Sequence, residues 1–192
     1  MNASNEGVGW GALPDQDGEN ALMHISESAI RNTPIEVFEA TSPVLFEQYA
    51  LREDSAGAGK HRGGLGVRRD YRLRDEANVF TTIKKTRFEG WGLDGGAPGA
   101  KNAVVLDDLE DDWDDRVTLY VDNDDLYPDG DRDDRKYTGL FRGTLYEGEL
   151  LSDRTGGGGG VGDPFSRAPE LVREDVLDGY VSRESAREDY GV

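Results

Sequence analysis

Five consecutive glycines, Gly156 to Gly160, constrain this chain more than any other stretch. Residues without a Cβ let another backbone approach to distances closed to every other residue. Such a run therefore either moves freely or is closely wrapped. It lies between Arg154-Thr155 and Val161-Gly162-Asp163-Pro164, shortly before a helix start marked by Ala168-Pro169-Glu170. Converging backbone N–H groups, reinforced by a helix N-terminus, would suit a phosphate or a carboxylate. A flexible linker or tight turn is the competing reading. No Gly-Lys-Ser or Gly-Lys-Thr follows, and the strand-to-helix spacing of a dinucleotide fingerprint is absent, so the run is neither a P-loop nor a Rossmann motif.

The chain is acidic, with 40 Asp and Glu against 22 Lys and Arg and a net charge of −18. A dense carboxylate surface stays hydrated and self-repelling at high ionic strength, which is expected of a halophile-like protein from a salt-saturated cytoplasm. Three Trp, eight Tyr and six Phe spread along 192 residues speak for a folded domain rather than an acidic disordered chain. Overall acidity argues against nucleic acid as a partner. The absence of cysteine excludes disulfides and thiolate metal sites. No membrane-spanning run or signal peptide is visible, so a cytoplasmic location without membrane contact is expected. The opening, Asn5-Glu6-Gly7-Val8-Gly9-Trp10-Gly11, reads like the interior of a domain, and a longer parent protein is expected.

Hydrophobic alternation predicts two strands across residues 35–51, broken near Pro43. Arg68 to Leu73 and Val79 to Ile83 read as a strand pair with its turn at 74–78. Val117 to Val121 and Tyr137 to Glu149 read as short strands, with Gly143 as a bulge or turn. Residues 55–66 and 91–99 are glycine-dense loops. Pro169, with Leu171, Val172, Val176 and Leu177 on one face, starts a helix that Gly179 stops, and Ser182 caps a last helix. The expectation is an α+β fold: a β-rich mixed sheet, glycine-rich loops and two short C-terminal helices in a tail at 168–190.

Residues 107–135 are strongly acidic and read as a solvated insertion. The ordered ligand pattern of an EF-hand is missing after Asp122, so a calcium loop is disfavoured. The opposite polarity appears at Lys60-His61-Arg62 and across Arg68 to Arg74. Two readings stay open there: pairing with the chain's own acids, or a docking surface for an anionic group.

Four blocks, taken in order, resemble a known family. They are Arg31-Asn32-Thr33-Pro34-Ile35-Glu36-Val37-Phe38-Glu39; Asp54-Ser55-Ala56-Gly57-Ala58-Gly59-Lys60-His61-Arg62-Gly63-Gly64-Leu65-Gly66; Phe88-Glu89-Gly90-Trp91-Gly92-Leu93-Asp94-Gly95-Gly96-Ala97-Pro98-Gly99; and the pentaglycine with Val161-Gly162-Asp163-Pro164 and the helical ending. Together they resemble the C-terminal portion of the B subunit of the hydantoinase/oxoprolinase family, which includes subunits of acetone and acetophenone carboxylases. The resemblance implies ATP-dependent opening of a cyclic amide such as hydantoin or 5-oxoproline, with ATP bound by an A-type partner subunit. The alternatives are a carboxylase-type subunit of the same family or a non-catalytic assembly fragment. The family's upstream B-subunit region, associated with metal binding in the carboxylase branch, has no counterpart here. A metal is therefore expected only on that region, and the isolated chain is expected to be inactive. The family usually has Thr-Pro ahead of its glycines, whereas Thr155 precedes Gly156, so a more mobile loop is expected.

No catalytic triad or metal set can be assembled from two histidines, and catalytic residues stay unassigned. Candidates for holding substrate or phosphate are Asn32, Glu36, Arg62, Gly63, Gly64, Gly156, Gly157, Gly158, Gly159, Gly160 and Asp163, since a phosphorylated intermediate calls for backbone N–H groups and arginine. Asp163 reads more readily as a turn or cap residue than as a general base. Glu36 and Glu39, three apart on an expected strand, would point to opposite faces.

Overall fold

The computed structural model describes residues 7–23, 33–123, 126 and 135–192. Its strands are β1 (Val44–Leu51), β2 (Val67–Leu73), β3 (Ala77–Thr82), β4 (Ala103–Asp107), β5 (Val117–Asp122), β6 (Lys136–Leu145) and β7 (Leu150–Arg154). They form a sheet in the order β1-β2-β7-β4-β6-β3, with β5 also on β6. The α+β class is as expected. Where a mixed sheet is expected, however, every pairing between these strands is antiparallel.

Alternation fills the main core. Tyr71 and Leu73 of β2, Val104 and Leu106 of β4, Phe141 and Leu145 of β6 and Leu151 of β7 pack with Trp113. All five residues of β4 are buried, because Ala103 and Val105 pack with Tyr137 on the other face. Trp113 belongs to a short helix, α2 (Trp113–Arg116). The described part of the acidic segment 107–135 is thus built into the sheet through α2 and β5.

Two local expectations are corrected. Residues 35–41 form a helix, α1 (Ile35–Thr41), rather than a strand. Its Phe38 packs edge-on against Phe46 at 5.3 Å and near Tyr71, and seven residues of mixed polarity fit a helix face as well as a pleat. Glu36 and Glu39 are therefore neighbours along one helix side rather than on opposite faces. The expected hairpin of 68–73 with 79–83 does not form: β2 pairs with β1 and β7, while β3 pairs with β6. Gly143 pairs with Val79 of β3 and Val117 of β5, and the β5–β6 register shifts beside it, between Val117 and Leu119, and again between Tyr120 and Asp122.

The C-terminal helices follow the sequence signals. Pro169 opens α3 (Pro169–Leu177), and Gly179 follows it at φ +72°. The Ser182 hydroxyl accepts the Ser185 N–H at 3.1 Å to cap α4 (Arg183–Glu188). Val172, Val181, Ala186 and Tyr190 pack on Ala58, which seats the tail against the glycine-rich segments.

Candidate functional site

The glycine-rich segments form a bundle with the pentaglycine at its centre. Gly157 and Gly160 donate to the carbonyls of Ala100 and Ala97, at 3.1 and 3.0 Å. Gly158 and Val161 donate to Gly64 and His61, at 3.0 and 2.9 Å, and Gly9 and Ala12 donate to Gly156 and Gly159, at 3.0 and 2.9 Å. Every pair advances by three residues on both segments. That is the repeat of an extended helix with three residues per turn, whose successive residues face three directions. Segments 8–12, 55–64 and 90–100 therefore surround the run as neighbours rather than as strands of one sheet.

This packing explains the glycines. A Cβ added at Gly156 through Gly160 would fall 1.8–2.4 Å from the carbonyl oxygens of Ala100, Ser55, Trp10, Trp91 and Ala58 in turn. None of the five has positive φ, so the missing Cβ and not conformational freedom is what each position requires. The expected mobile loop is corrected to a mostly buried, bonded core. The Thr155 hydroxyl locks its start, accepting the Val67 N–H at 2.6 Å and donating to the Gly7 carbonyl at 2.7 Å. Asn102 does the same from its side chain, with Oδ1 accepting the Gly156 N–H and Nδ2 donating to the Lys84 carbonyl.

A buried charge network joins the tail to this bundle. The Arg167 guanidinium is bidentate on Asp17, at 2.8 and 2.7 Å, and also reaches Asp175 Oδ2 at 2.8 Å. Arg62 donates from Nε to Asp175 Oδ1 at 3.2 Å and lies over the Tyr180 ring at 5.2 Å. Burial pushes the Asp17 carboxyl up, but the hydrogen bond and charge of Arg167, with the Arg62 N–H, outweigh it and hold Asp17 below the usual carboxylate range. Arg167 is held above its ordinary value: burial opposes the charge, and Asp17 and Asp175 more than offset it. Burial pushes the neighbouring Tyr190 hydroxyl up to about 12.

The bundle gathers most of the sequence-selected residues. Arg62, Gly63, Gly64, Gly156 to Gly160 and Asp163 lie in it, while Glu36 is exposed on α1 beside the sheet core. Asn32, like His24, lies outside the described residues. The N–H groups of Gly156, Gly157, Gly158 and Gly160 donate within the chain. Those of Gly63 and Gly64 go to Gly57 and Trp10, at 2.9 and 2.7 Å. The Arg62 Nη1 donates to the Gly63 carbonyl at 2.6 Å. Asp163 caps the 3-10 turn Pro164–Ser166 by accepting the Phe165 N–H at 3.0 Å.

The basic segment pairs internally. Arg72 binds Glu47 at 2.8 Å and Asp108 at 2.6 Å, Arg68 binds Asp70 at 2.6 Å, and Arg69 lies 4.0 Å over the Tyr49 ring. Burial, with Arg154 and Arg68 nearby, lowers the Arg52 guanidinium to about 10, while its Nη1 donates to the carbonyls of Lys101 and Thr155. Sequence reasoning missed Asp175, Arg167 and Asp17. The available signal was Asp175 lying between Val172 and Val176 on the buried side of α3. It also missed Glu149, fully buried and held by Arg116 at 2.6 Å and by the N–H groups of Glu110 and Tyr146. No group of three or more His, Cys, Asp or Glu able to hold a metal occurs among the described residues.

A fold in which glycine segments pack backbone to backbone beside a curled antiparallel sheet has close counterparts. The sequence profile of Hydantoinase B/oxoprolinase matches residues 1–164, and the chain belongs to that family. It is 36% identical over 165 residues to the caprolactamase subunit beta of Pseudomonas jessenii, covering 85% of this chain and 26% of that protein. It superimposes with TM-score 0.71 and 26% identity on an ATP-dependent caprolactamase from Pseudomonas jessenii, over 96% of this chain and 29% of that one. The nucleotide-free structure of an acetone carboxylase gives the same TM-score and identity, over 96% of this chain and 26% of that one. The chain spans about a quarter of the length of the caprolactamase, hydantoinase and acetone carboxylase subunits it matches and 12% or less of the 5-oxoprolinases.

Proposed function

We propose that this chain is the C-terminal part of a B-type subunit in an ATP-dependent enzyme that opens cyclic amides, with hydantoin or 5-oxoproline as the substrate class. It works with the upstream B-type region and with an A-type subunit that binds ATP. The observation that carries this reading is the 36% identity to a caprolactamase subunit across most of the chain. A lactam carbonyl is a poor electrophile, and a phosphoryl group supplied from ATP by the partner subunit makes its oxygen a leaving group. In this scheme the chain contributes neither the ATP site nor a metal.

The candidate residues act in this reading as one wall of a composite pocket. Arg62, Gly63, Gly64 and Gly156 to Gly160 fix its shape, since the donors named above are already engaged, and a rigid wall of backbone limits bulk water while one water molecule attacks the activated carbonyl carbon, the ring C–N bond breaks and phosphate leaves. Asp163 and Glu36 are exposed and so remain open to substrate or partner contact. Asn32 retains the role that the family block suggests for it.

A carboxylase branch is the second reading, favoured by the equal structural likeness to acetone carboxylase. Reconstitution of all three components separates the two. ATP-dependent ring opening of 5-oxoproline or hydantoin supports the first, and incorporation of bicarbonate into a ketone supports the second. A complete complex that does neither favours a non-catalytic assembly role.

A further inference from the structure

The bundle and the residues just before and after its segments carry apolar side chains that folding of the chain leaves in water. The ring of Trp91 is 79% exposed, Phe88 is 81% exposed, and Leu93 and Leu13 are 55% and 50% exposed. The backbones at Leu13, Trp91 and Leu93 are fixed. Ala12, next to Leu13, donates to the Gly159 carbonyl, and the Trp91 carbonyl lies directly over Gly159. Leu93 donates to the Gly160 carbonyl at 2.9 Å and bridges Val161. Segments 10–13 and 91–93 thus meet at Gly159, the first reaching back to Gly158 and the second on to Gly160, and present their side chains from a bonded base. Two aromatic rings about four-fifths exposed on so polar a chain, mean hydropathy −0.70, mark a face built for contact.

We infer that this face, centred on Trp91, is the docking surface for the remaining B-type region of the family, whether that region is joined to this chain or supplied separately. The inference rests on the B-type reading above and names the surface that reading requires. The occupant follows from length: the chain matches 26% of the caprolactamase subunit's length, and 96% of it superimposes on 29% or less of the caprolactamase and carboxylase chains. In those chains this fold is one part of a larger whole. Rigid aromatic anchors lose little freedom on binding, which suits an interface centre.

The test is titration calorimetry in molar KCl between this chain and the remaining B-type region from the same source, expressed separately. Trp91→Ser is compared with Phe80→Ser, which removes an exposed ring from β3 on the sheet. Circular dichroism checks that both variants stay folded. The expected result is a one-to-one complex that Trp91→Ser weakens at least tenfold and Phe80→Ser leaves nearly unchanged. Equal loss in both variants, no loss in either, no complex, or self-association of this chain through Trp91 would each overturn the inference. Binding without turnover in the reconstituted enzyme would leave the surface standing and count against the cyclic-amide reading. Turnover with Trp91→Ser affinity unchanged would do the reverse.

Discussion

Arg167 and Asp17, 150 residues apart in sequence, meet in a bidentate ion pair at 2.7 and 2.8 Å. Asp175 shares the same guanidinium and also holds Arg62, so one carboxylate of α3 binds the bundle through Arg62 and the tail's own Arg167. Asp175→Asn leaves two buried guanidinium groups short of charge. Losing one partner of a buried pair costs about 3–5 kcal/mol. Guanidinium chloride unfolding at constant salt should show a loss of that size, and a loss near zero would remove the network from the account.

Asp17 of this network and Glu149, bound by Arg116, together set an acid limb. Asp17 and Glu149 are held below their ordinary values of 3.8 and 4.5, Glu149 because Arg116 and two backbone N–H groups outweigh the opposing effect of burial. Below those values the unfolded chain takes up protons that the folded chain resists. Their stabilisation is therefore complete above about pH 5 and fades as pH falls through the lowered folded values. Glu149→Gln should flatten the stability curve between pH 5 and 2 while lowering stability at pH 7.

At the alkaline end Tyr190 provides the contrast. Its folded value of about 12 lies above the ordinary 10.0. From pH 10 upward the unfolded chain loses a proton that the folded chain keeps, so stability is full below 10 and declines towards 12. Tyr190→Phe should lessen that decline, measured by the unfolding midpoint at pH 9 and pH 11.

The net charge of −18 predicts a strong dependence on salt. Raising ionic strength from 0.1 M to 1 M shortens the screening length from about 10 Å to about 3 Å, which removes most repulsion between separated carboxylates. The thermal midpoint should rise steeply with KCl. A flat response would contradict the halophilic reading.

Glycine substitutions divide by cause. A Cβ at Gly158 would stand 1.9 Å from the Trp10 carbonyl oxygen, whereas at Gly148, φ +91°, nothing lies within 4 Å. Gly158→Ala should abolish folding. Gly148→Ala should cost only local backbone strain, about 1–2 kcal/mol. Soluble yield and far-ultraviolet circular dichroism distinguish the two.

The tail was legible because its signals are local: Pro169 at a first turn, Gly179 after it and Ser182 at a cap each act within a few residues. α1 was not, since Ile35 to Thr41 is too short for one period to exclude the other, and Phe38 chooses the helix only by meeting Phe46 and Tyr71. The pairing of β2 with β7 rather than with a strand at 79–83 is a long-range choice that adjacent sequence does not encode. The enclosure of the pentaglycine was not legible. A run of glycines looks the same whether it is free or enclosed, and the enclosing carbonyls come from segments 8–12, 55–64 and 90–100. Arg62 was singled out for an anion and is held by Asp175, a partner 113 residues away.

The enclosed pentaglycine is the claim on which the wall of the proposed pocket depends, and amide hydrogen exchange followed by NMR tests it residue by residue. The N–H groups of Gly156, Gly157, Gly158 and Gly160 are predicted to exchange as slowly as those of β4, opening only with global unfolding. Exchange at the rate of an exposed loop, with β4 still protected, would show a free glycine run and contradict the account.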